Sequence, residues 1–216
     1  MLQLRFAAPD GRPFRVLCLG AHADDLEIGC GGSVLHLLRA LPKVHCTWVV
    51  WSGAGDRKDE AERGAAAVLG NGNHSVMVEQ FRDGFFPDQW GAIKERFESL
   101  KTSAPDLIFT HRRQDRHQDH RVIAELTWNT WRDHAVLEYE VPKYEGDLST
   151  PSLYLPLEAD LVERKVDLLM SVFASQRSKK WFDAETFRGL MRLRGVECGA
   201  ASGYAEGFHA SKLVLT

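Results

Sequence analysis

FRVLCLGAHADDLEIGCGGSVLHLLRAL, residues 14–41, decides the fold, because an apolar run, a polar glycine-containing loop and an amphipathic segment follow one another directly. The apolar run 14–19 predicts a short strand. Apolar residues at helical spacing predict a helix over 33–41, with Ser33 as its N-cap. A strand that leads through a short loop into a helix is the first half of a βαβ unit.

The alternation of strand and helix continues along the chain. It predicts strands at 45–51, 75–78 and 107–110, followed by helices at 59–69, 89–100 and 120–131. Four strand-then-helix units favour right-handed crossovers and a parallel sheet. The remainder predicts strands at 136–141, 153–155 and 212–215 and a helix at 158–173. We expect an α/β fold, a sandwich with a mostly parallel sheet and helices on both faces, formed by a single domain over 1–216.

The composition is that of an ordinary globular protein, with 44% hydrophobic and 26% charged residues. No apolar run approaches the ~20 residues of a membrane span, so membrane insertion is not expected. The formal net charge of −3 comes without a basic cluster, which disfavours nucleic acid as a partner. The N-terminal segment has no signal or transit pattern, and we expect a cytoplasmic protein. A homo-oligomer is compatible with this composition.

The four cysteines are scattered along the chain without a CxxC pair: Cys18, Cys30, Cys46 and Cys198. This spacing fits a reducing compartment and argues against a zinc site with cysteine ligands. We expect each cysteine to pack as a small apolar side chain.

Two loops that follow predicted strands are rich in side chains that bind metals. Residues 21–32, AHADDLEIGCGG, hold one His, two Asp and one Glu within six positions. Residues 111–121, HRRQDRHQDHR, hold three His and two Asp. Each residue taken alone is explained as a loop residue or a helix cap. Because ligands of open α/β sheets bind beyond the carboxyl ends of the strands, the two loops together predict one site.

Imidazole and carboxylate are ligands that zinc accepts, and a catalytic zinc site uses three of them with a fourth position open. His22, Asp25 and His120 make such a set. The same ligands suit Fe²⁺ or another divalent ion, so zinc is the expected metal and iron stays an alternative. A nicotinamide cofactor is not expected, because Val34 stands where the glycine-rich fingerprint needs its third glycine.

The two loops resemble the hallmarks of the PIG-L, or LmbE-like, family of zinc-dependent N-acetylglucosaminyl deacetylases. AHADDLEIGCGG is similar to the family's AHPDDExxGCGG, and HQDHR at 117–121 is similar to its HPDHR. Further similar segments are AAAVLG (65–70), RDG (82–84), KVDLLMSVFASQ (165–176) and SGYAEGFHASKL (202–213). The resemblance covers nearly the whole chain and implies a Rossmann-like fold.

The resemblance also implies roles by motif position. The implied metal ligands are the same three residues that the ligand chemistry selects. Asp24, the first Asp of the pair, is implied as the general base. His117 is implied as the general acid or oxyanion stabiliser, with Asp119 orienting it. For many members of the family, the resemblance implies a substrate with an N-acetylglucosamine unit.

Two residues are expected to bind the substrate. Arg57 approximately matches the Arg of an RxxE pattern in the family, with Glu60 as its Glu, although the match is one residue out of register. Asp83 lies in the RDG segment. Ala23 and Gln118 replace prolines of the family hallmarks, and neither change removes a reacting group.

The expected reaction is hydrolysis of an N-acetyl group on a small N-acetylglucosamine conjugate. A metal polarises the carbonyl and lowers the pKa of water toward ~7, while Asp24 takes the proton. One alternative is a metal-dependent phosphoesterase, since Asn73 and His74 weakly resemble a phosphatase pair. Another is a non-catalytic sugar- or nucleotide-binding module, although such a module has no use for a base beside a metal.

Overall fold

The computed structural model describes residues 1–214. In this part of the chain, seven strands form one sheet: β1 Phe14–His22, β2 Val44–Ser52, β3 Ser75–Val78, β4 Leu107–His111, β5 Ala135–Tyr139, β6 Leu153–Pro156 and β7 Ala205–Ala210.

The helices follow the strands: α1 Asp25–Gly29, α2 Gly31–Ala40, α3 Asp56–Leu69, α4 Trp90–Leu100, α5 Gln118–Thr130, α6 Ala159–Val172 and α7 Ala184–Cys198. Short 3-10 turns lie at Phe86–Gln89, Lys101–Ser103 and Ala174–Gln176. Within residues 1–214, no helix combines the length and the apolar composition needed to cross a membrane.

The strand order is β3-β2-β1-β4-β5-β7-β6. β1 to β5 pair in parallel, and β7 pairs antiparallel with both β5 and β6. The predicted α/β sandwich with a mostly parallel sheet is therefore confirmed. The chain moves outward from β1 to β3 and returns to β4 on the other side of β1. This reversal is the position at which such sheets bind ligands, and His22 and His111 end the two strands that flank it.

Alternate residues of each central strand face two separate cores. On β1, Val16 and Cys18 face the core that α2, α3 and α6 cover, whereas Leu17 and Leu19 face the core under α4 and α5. A parallel strand that is buried on both faces reads as a continuous apolar run, which is why the sequence identified these strands.

The N-terminus of α2 corrects one prediction, because the helix begins at Gly31 and not after Ser33. Glu206 of β7 replaces a local cap: its carboxylate accepts hydrogen bonds from the backbone N–H groups of Gly32 and Ser33 at 2.9 and 2.7 Å, and from Ser33 Oγ at 2.5 Å. Lys165 donates to the same carboxylate at 2.6 Å and to Ile28 O at 2.5 Å. A carboxylate from a distant strand thus stabilises this helix end.

The C-terminal third departs most from the predictions. The final strand lies at Ala205–Ala210 instead of 212–215; residues 212–214 are not in a strand, and Leu215 lies outside the described residues. The short helix α1 and the long helix α7 were not predicted. α7 presents exposed Leu193 and Val196, which weaken the amphipathic pattern that would have marked it as a helix.

We predict that Gly29→Ala lowers the free energy of unfolding by about 1–3 kcal/mol, because a methyl group would have to displace buried side-chain atoms. A Cβ at Gly29 would lie 2.1 Å from the ring of Tyr139, and this ring is fixed because its hydroxyl donates to Leu19 O at 2.8 Å. Denaturant unfolding of the metal-free protein measures the change.

Gly189→Ala is the matched control, since Gly189 lies within α7 and a Cβ there would have no heavy atom within 4 Å. This variant should gain about 0.5–1 kcal/mol from helix propensity. Equal stability of the two variants would contradict the packing argument.

Candidate metal centre

The turn between β1 and α1 carries the first half of the site. Asp24 lies in this turn with φ 106° and ψ −28°, a conformation that is uncommon for a residue with a Cβ and costs about 1–3 kcal/mol. The Asp25 carboxylate accepts a hydrogen bond from the backbone N–H of His22 at 2.7 Å, which closes the turn. His22 Nδ1 thereby lies 3.4 Å from Asp25 Oδ2.

The first turn of α5 supplies the third donor atom. His120 Nε2 lies 3.3 Å from His22 Nδ1 and 3.5 Å from Asp25 Oδ2. Zinc bonds of about 2.0–2.1 Å in tetrahedral geometry separate neighbouring ligand atoms by about 3.4 Å. The structure thus brings the three predicted ligands together, and their donor atoms fit a tetrahedral divalent ion with one position left open.

Asp24 is a buried carboxyl next to the donor atoms. Arg57 Nη2 lies 3.2 Å from Asp24 Oδ1 and also donates to the Ala23 carbonyl, while Arg57 Nη1 donates to Glu60 at 3.3 Å. Burial raises the pKa of Asp24 to about 7, with Arg57 opposing and the Asp25 charge adding to the rise. A carboxyl with a pKa near neutrality is suited to exchange protons with a reactant.

His117 is half-buried at the start of α5, and its ring packs edge-on against His22 with the centroids 5.0 Å apart. Its Nδ1 has no hydrogen-bond partner among residues 1–214. Burial, with the adjacent His22, lowers the pKa of His117. Its neutral form is therefore favoured, and this form can accept one proton and pass it on.

Asp119, which the resemblance pairs with His117, has its carboxylate hydrogen-bonded to His22 in this structure. Asp119 Oδ2 lies 3.1 Å from His22 Nε2, and the two carboxylate oxygens accept backbone N–H groups of Gly84 and Phe86 at 2.6 and 3.1 Å. When Nδ1 of His22 binds a metal, Nε2 carries the ring proton and donates a hydrogen bond to Asp119.

The two predicted substrate-binding residues differ in their exposure. The Asp83 side chain is 75% exposed and lies 3.1 Å from His22 Nε2. This contact with His22 lowers the pKa of Asp83 to about 2, so Asp83 is an ionised, exposed carboxylate beside His22. Arg57 lies deeper, at 26% exposure, and is already engaged by Asp24.

His111 is one of two residues in the site to which the sequence assigned no role. It is fully buried, its ring stacks on His120 with the centroids 3.8 Å apart, and its Nε2 accepts the backbone N–H of Ala21 at 2.9 Å. The same nitrogen lies 3.2 Å from Asp25 Oδ2. Its place at the end of β4, in the histidine-rich loop, was the signal available in the sequence.

Asp115 is the other residue of the site to which the sequence assigned no role. It is buried and lies 3.0 Å from His120 Nδ1, on the side of the ring away from the donor atoms. Burial alone would raise the pKa of Asp115, but the hydrogen bond with His120 and nearby positive charge hold it below its usual value. Metal-binding histidines usually donate to a carboxylate, so an unassigned Asp in the same loop was the available signal.

This arrangement places a metal-binding triangle, a carboxyl with a pKa near neutrality and a half-buried imidazole at the carboxyl edge of the sheet. Metal-assisted hydrolysis needs a Lewis acid, a proton acceptor and a proton donor within one site. The geometry can therefore support hydrolysis of a carbonyl compound.

Comparison with known proteins places the chain in a family. Residues 17–131, more than half of the chain, match the family described as "PIG-L: GlcNAc-PI de-N-acetylase". The chain is also 27% identical over 139 residues to the "Uncharacterized deacetylase YaiS" of Escherichia coli K12, covering 59% of this chain and 74% of YaiS.

Solved structures share the fold. An N,N'-diacetylchitobiose deacetylase from Pyrococcus horikoshii superposes with a TM-score of 0.72 at 20% identity, covering 91% of this chain and 83% of that protein. GalB, the 4-carboxy-2-hydroxymuconate hydratase of Pseudomonas putida KT2440, gives a TM-score of 0.72 at 17% identity, with 94% and 98% covered. The fold therefore hosts both a deacetylase and a hydratase, and the chemistry of this chain has to be argued from its site.

We predict that Asp25→Asn loses most of the bound divalent metal, because it removes the charge of a donor, while the adjacent Asp24→Asn retains about one ion per chain. Elemental analysis of the two purified isosteric variants makes the comparison. Equal loss of metal from both variants would contradict this assignment of ligands.

Proposed function

The chain belongs to the PIG-L family, and we propose that it is a zinc-dependent N-deacetylase that removes the acetyl group from an N-acetylglucosamine-type amino sugar conjugate. The observation that carries the proposal is the triangle of donor atoms from His22, Asp25 and His120, with sides of 3.3 to 3.5 Å, beside the strained residue Asp24. Strain at a turn with a titratable side chain is typical of a functional position.

Zinc is the proposed metal because two imidazoles and one carboxylate with an open fourth position are a common catalytic zinc set. Fe²⁺ accepts the same ligands and is the alternative. When bound, the ion would polarise the amide carbonyl and lower the pKa of a water molecule toward ~7. The remaining steps fall to side chains of the chain itself.

Asp24 is the proposed general base. Its carboxyl is buried, its pKa is about 7, and the turn holds it next to the two ligands of the first loop. It would take the proton from the attacking water. Arg57, which contacts Asp24 at 3.2 Å, would keep the carboxylate form accessible at neutral pH.

His117 is the proposed general acid. Its half-buried ring lies against His22 and would hydrogen-bond the oxyanion once protonated, and it would then donate that proton to the leaving amine. Asp119 would act one step away, by fixing the ring of His22.

The substrate is proposed to be a small amino sugar conjugate, with Asp83 and Arg57 as binding groups. Membership of a GlcNAc-PI de-N-acetylase family and the likeness to a diacetylchitobiose deacetylase support this class. The exposed carboxylate of Asp83, beside His22, would accept hydrogen bonds from sugar hydroxyls. We also propose that residues 1–216 act as one catalytic domain, which the single sheet across Phe14–Ala210 supports.

The phosphoesterase alternative is not favoured. Asn73 and His74 precede β3, whereas the donor atoms follow β1 and β4. In parallel strands these are opposite edges of the sheet. Asn73 O and His74 Nδ1 instead contact His45 and Cys46 at the start of β2, at 2.7 and 3.1 Å.

We predict that His117→Ala lowers kcat on the N-acetylated substrate about 10²- to 10⁴-fold, the usual reach of one general acid, with metal content unchanged. Steady-state kinetics and elemental analysis on the same preparation test it. Gln118→Ala, at the exposed neighbouring position, is the control and should keep kcat within a few-fold. If the His117→Ala variant is purified without metal, His117 is a metal ligand and not the general acid.

We predict that the zinc-loaded protein releases acetate from free or glycosidically linked N-acetylglucosamine, because the site brings together the groups that amide hydrolysis needs. Parallel incubations contain an acetyl-lysine peptide, a phosphodiester and an enol acid of the type that a hydratase consumes. The Asp24→Asn variant is the control for contaminating activity. Turnover confined to one of the last three compounds would overturn the proposed function.

A further inference from the structure

A buried ion pair lies next to the proposed metal ligand His120, on the side of its ring that faces away from the other donor atoms. Its Nε2 is one of the three donor atoms, and its Nδ1 lies 3.0 Å from Asp115 Oδ2. Because Nε2 has to offer a lone pair to a metal, the ring proton lies on Nδ1, and Nδ1 donates a hydrogen bond to Asp115.

Asp115 is itself fixed by two further donors. Lys143 Nζ donates to the same oxygen at 2.9 Å, and the backbone N–H of His117 donates to the other oxygen at 2.7 Å. The side chains of Asp115 and Lys143 are only 5% and 7% exposed, so water scarcely weakens their attraction.

Lys143 comes from the long connection between β5 and β6, and a second carboxylate anchors it there. Lys143 Nζ donates to both oxygens of Asp147 at 2.9 Å, and Asp147 accepts the backbone N–H of Arg116 at 2.7 Å. The connection 140–152 is thereby tied to the histidine-rich loop through charged side chains.

We propose that Asp115 and Lys143 are positioning residues that fix the tautomer and the ring orientation of His120 for metal binding. The inference rests on the proposed function, because it assumes that His120 binds the ion. Lys143 Nζ donates to the same carboxylate oxygen that faces His120 Nδ1, and thereby holds this oxygen in place as the acceptor of the hydrogen bond from His120. Without Lys143, a buried carboxylate would face only imidazole and a backbone amide.

The two histidine ligands are supported in the same chemical way but by different partners. His22 Nε2 faces Asp119, whose other contacts are backbone N–H groups, whereas His120 Nδ1 faces a carboxylate that a buried lysine neutralises. A role limited to holding the two loops together would stabilise the metal-free protein and leave the affinity of the folded site unchanged. A positioning role changes the affinity for metal.

The test measures zinc affinity of the full chain by competition with a chromogenic chelator, beside the absorption spectrum of the Co²⁺-loaded protein. We expect Asp115→Asn to weaken zinc binding about 10- to 100-fold, the usual effect of removing the partner of a metal-binding histidine. The Co²⁺ bands should shift in the same variant, because the ring of His120 is no longer held. Asp133→Asn is the matched control, since Asp133 contacts His134 at 2.8 Å but is 90% exposed on that surface pair.

Lys143→Gln keeps the test decisive if Asp115→Asn fails to fold. It should weaken zinc binding in the same direction, and Lys143→Arg, which retains the charge, should restore most of the affinity. Zinc affinity within two-fold of the unmodified chain in folded Asp115→Asn or Lys143→Gln, with an unchanged Co²⁺ spectrum, would overturn the positioning role. Failure of the unmodified chain to bind zinc would instead overturn the proposed function, and the inference with it.

Discussion

The left-handed backbone at Asp24 is the constraint on which the site depends. An extended residue at this position would carry the chain past the edge of the sheet, and the side chains of His22 and Asp25 would lie apart. The bond from the His22 N–H to Asp25 and the contact of Arg57 with the Ala23 carbonyl hold the turn from both sides. The free energy that this conformation costs is offset by burial of the surrounding core.

Interactions between residues that are distant in sequence also stabilise that turn. Glu206 of β7 accepts three hydrogen bonds at the start of α2, and Lys165 of α6 links this carboxylate to the carbonyl of Ile28 in α1. The loop that carries Asp25 is therefore fixed at its far end by a buried ion pair. A loop held at both ends keeps a ligand in place, whereas a free loop would lose its geometry to thermal motion.

The sequence predicted the elements whose signal is local and missed those whose cause is distant. Strands such as β1 were identified because burial on both faces produces continuous apolar runs, and the three donor residues were identified because zinc chemistry restricts the choice. Ser33 was misassigned as a cap because Glu206 lies 173 residues away from it. The contact of Asp119 with His22 could not be predicted, because the backbone N–H groups of Gly84 and Phe86 that hold its carboxylate are remote in the chain.

The distribution of charge around the three donor atoms suits a cation. Asp24 and Asp115 are each contacted by a cationic side chain, Arg57 and Lys143, at 3.2 and 2.9 Å. Each cation is shared with a second carboxylate farther out, Glu60 for Arg57 and Asp147 for Lys143. Each cation is therefore shared between two carboxylates. Asp25 has three imidazoles within 3.5 Å of its Oδ2. A divalent ion among the donor atoms would balance this charge and accept the lone pairs of both histidine ligands.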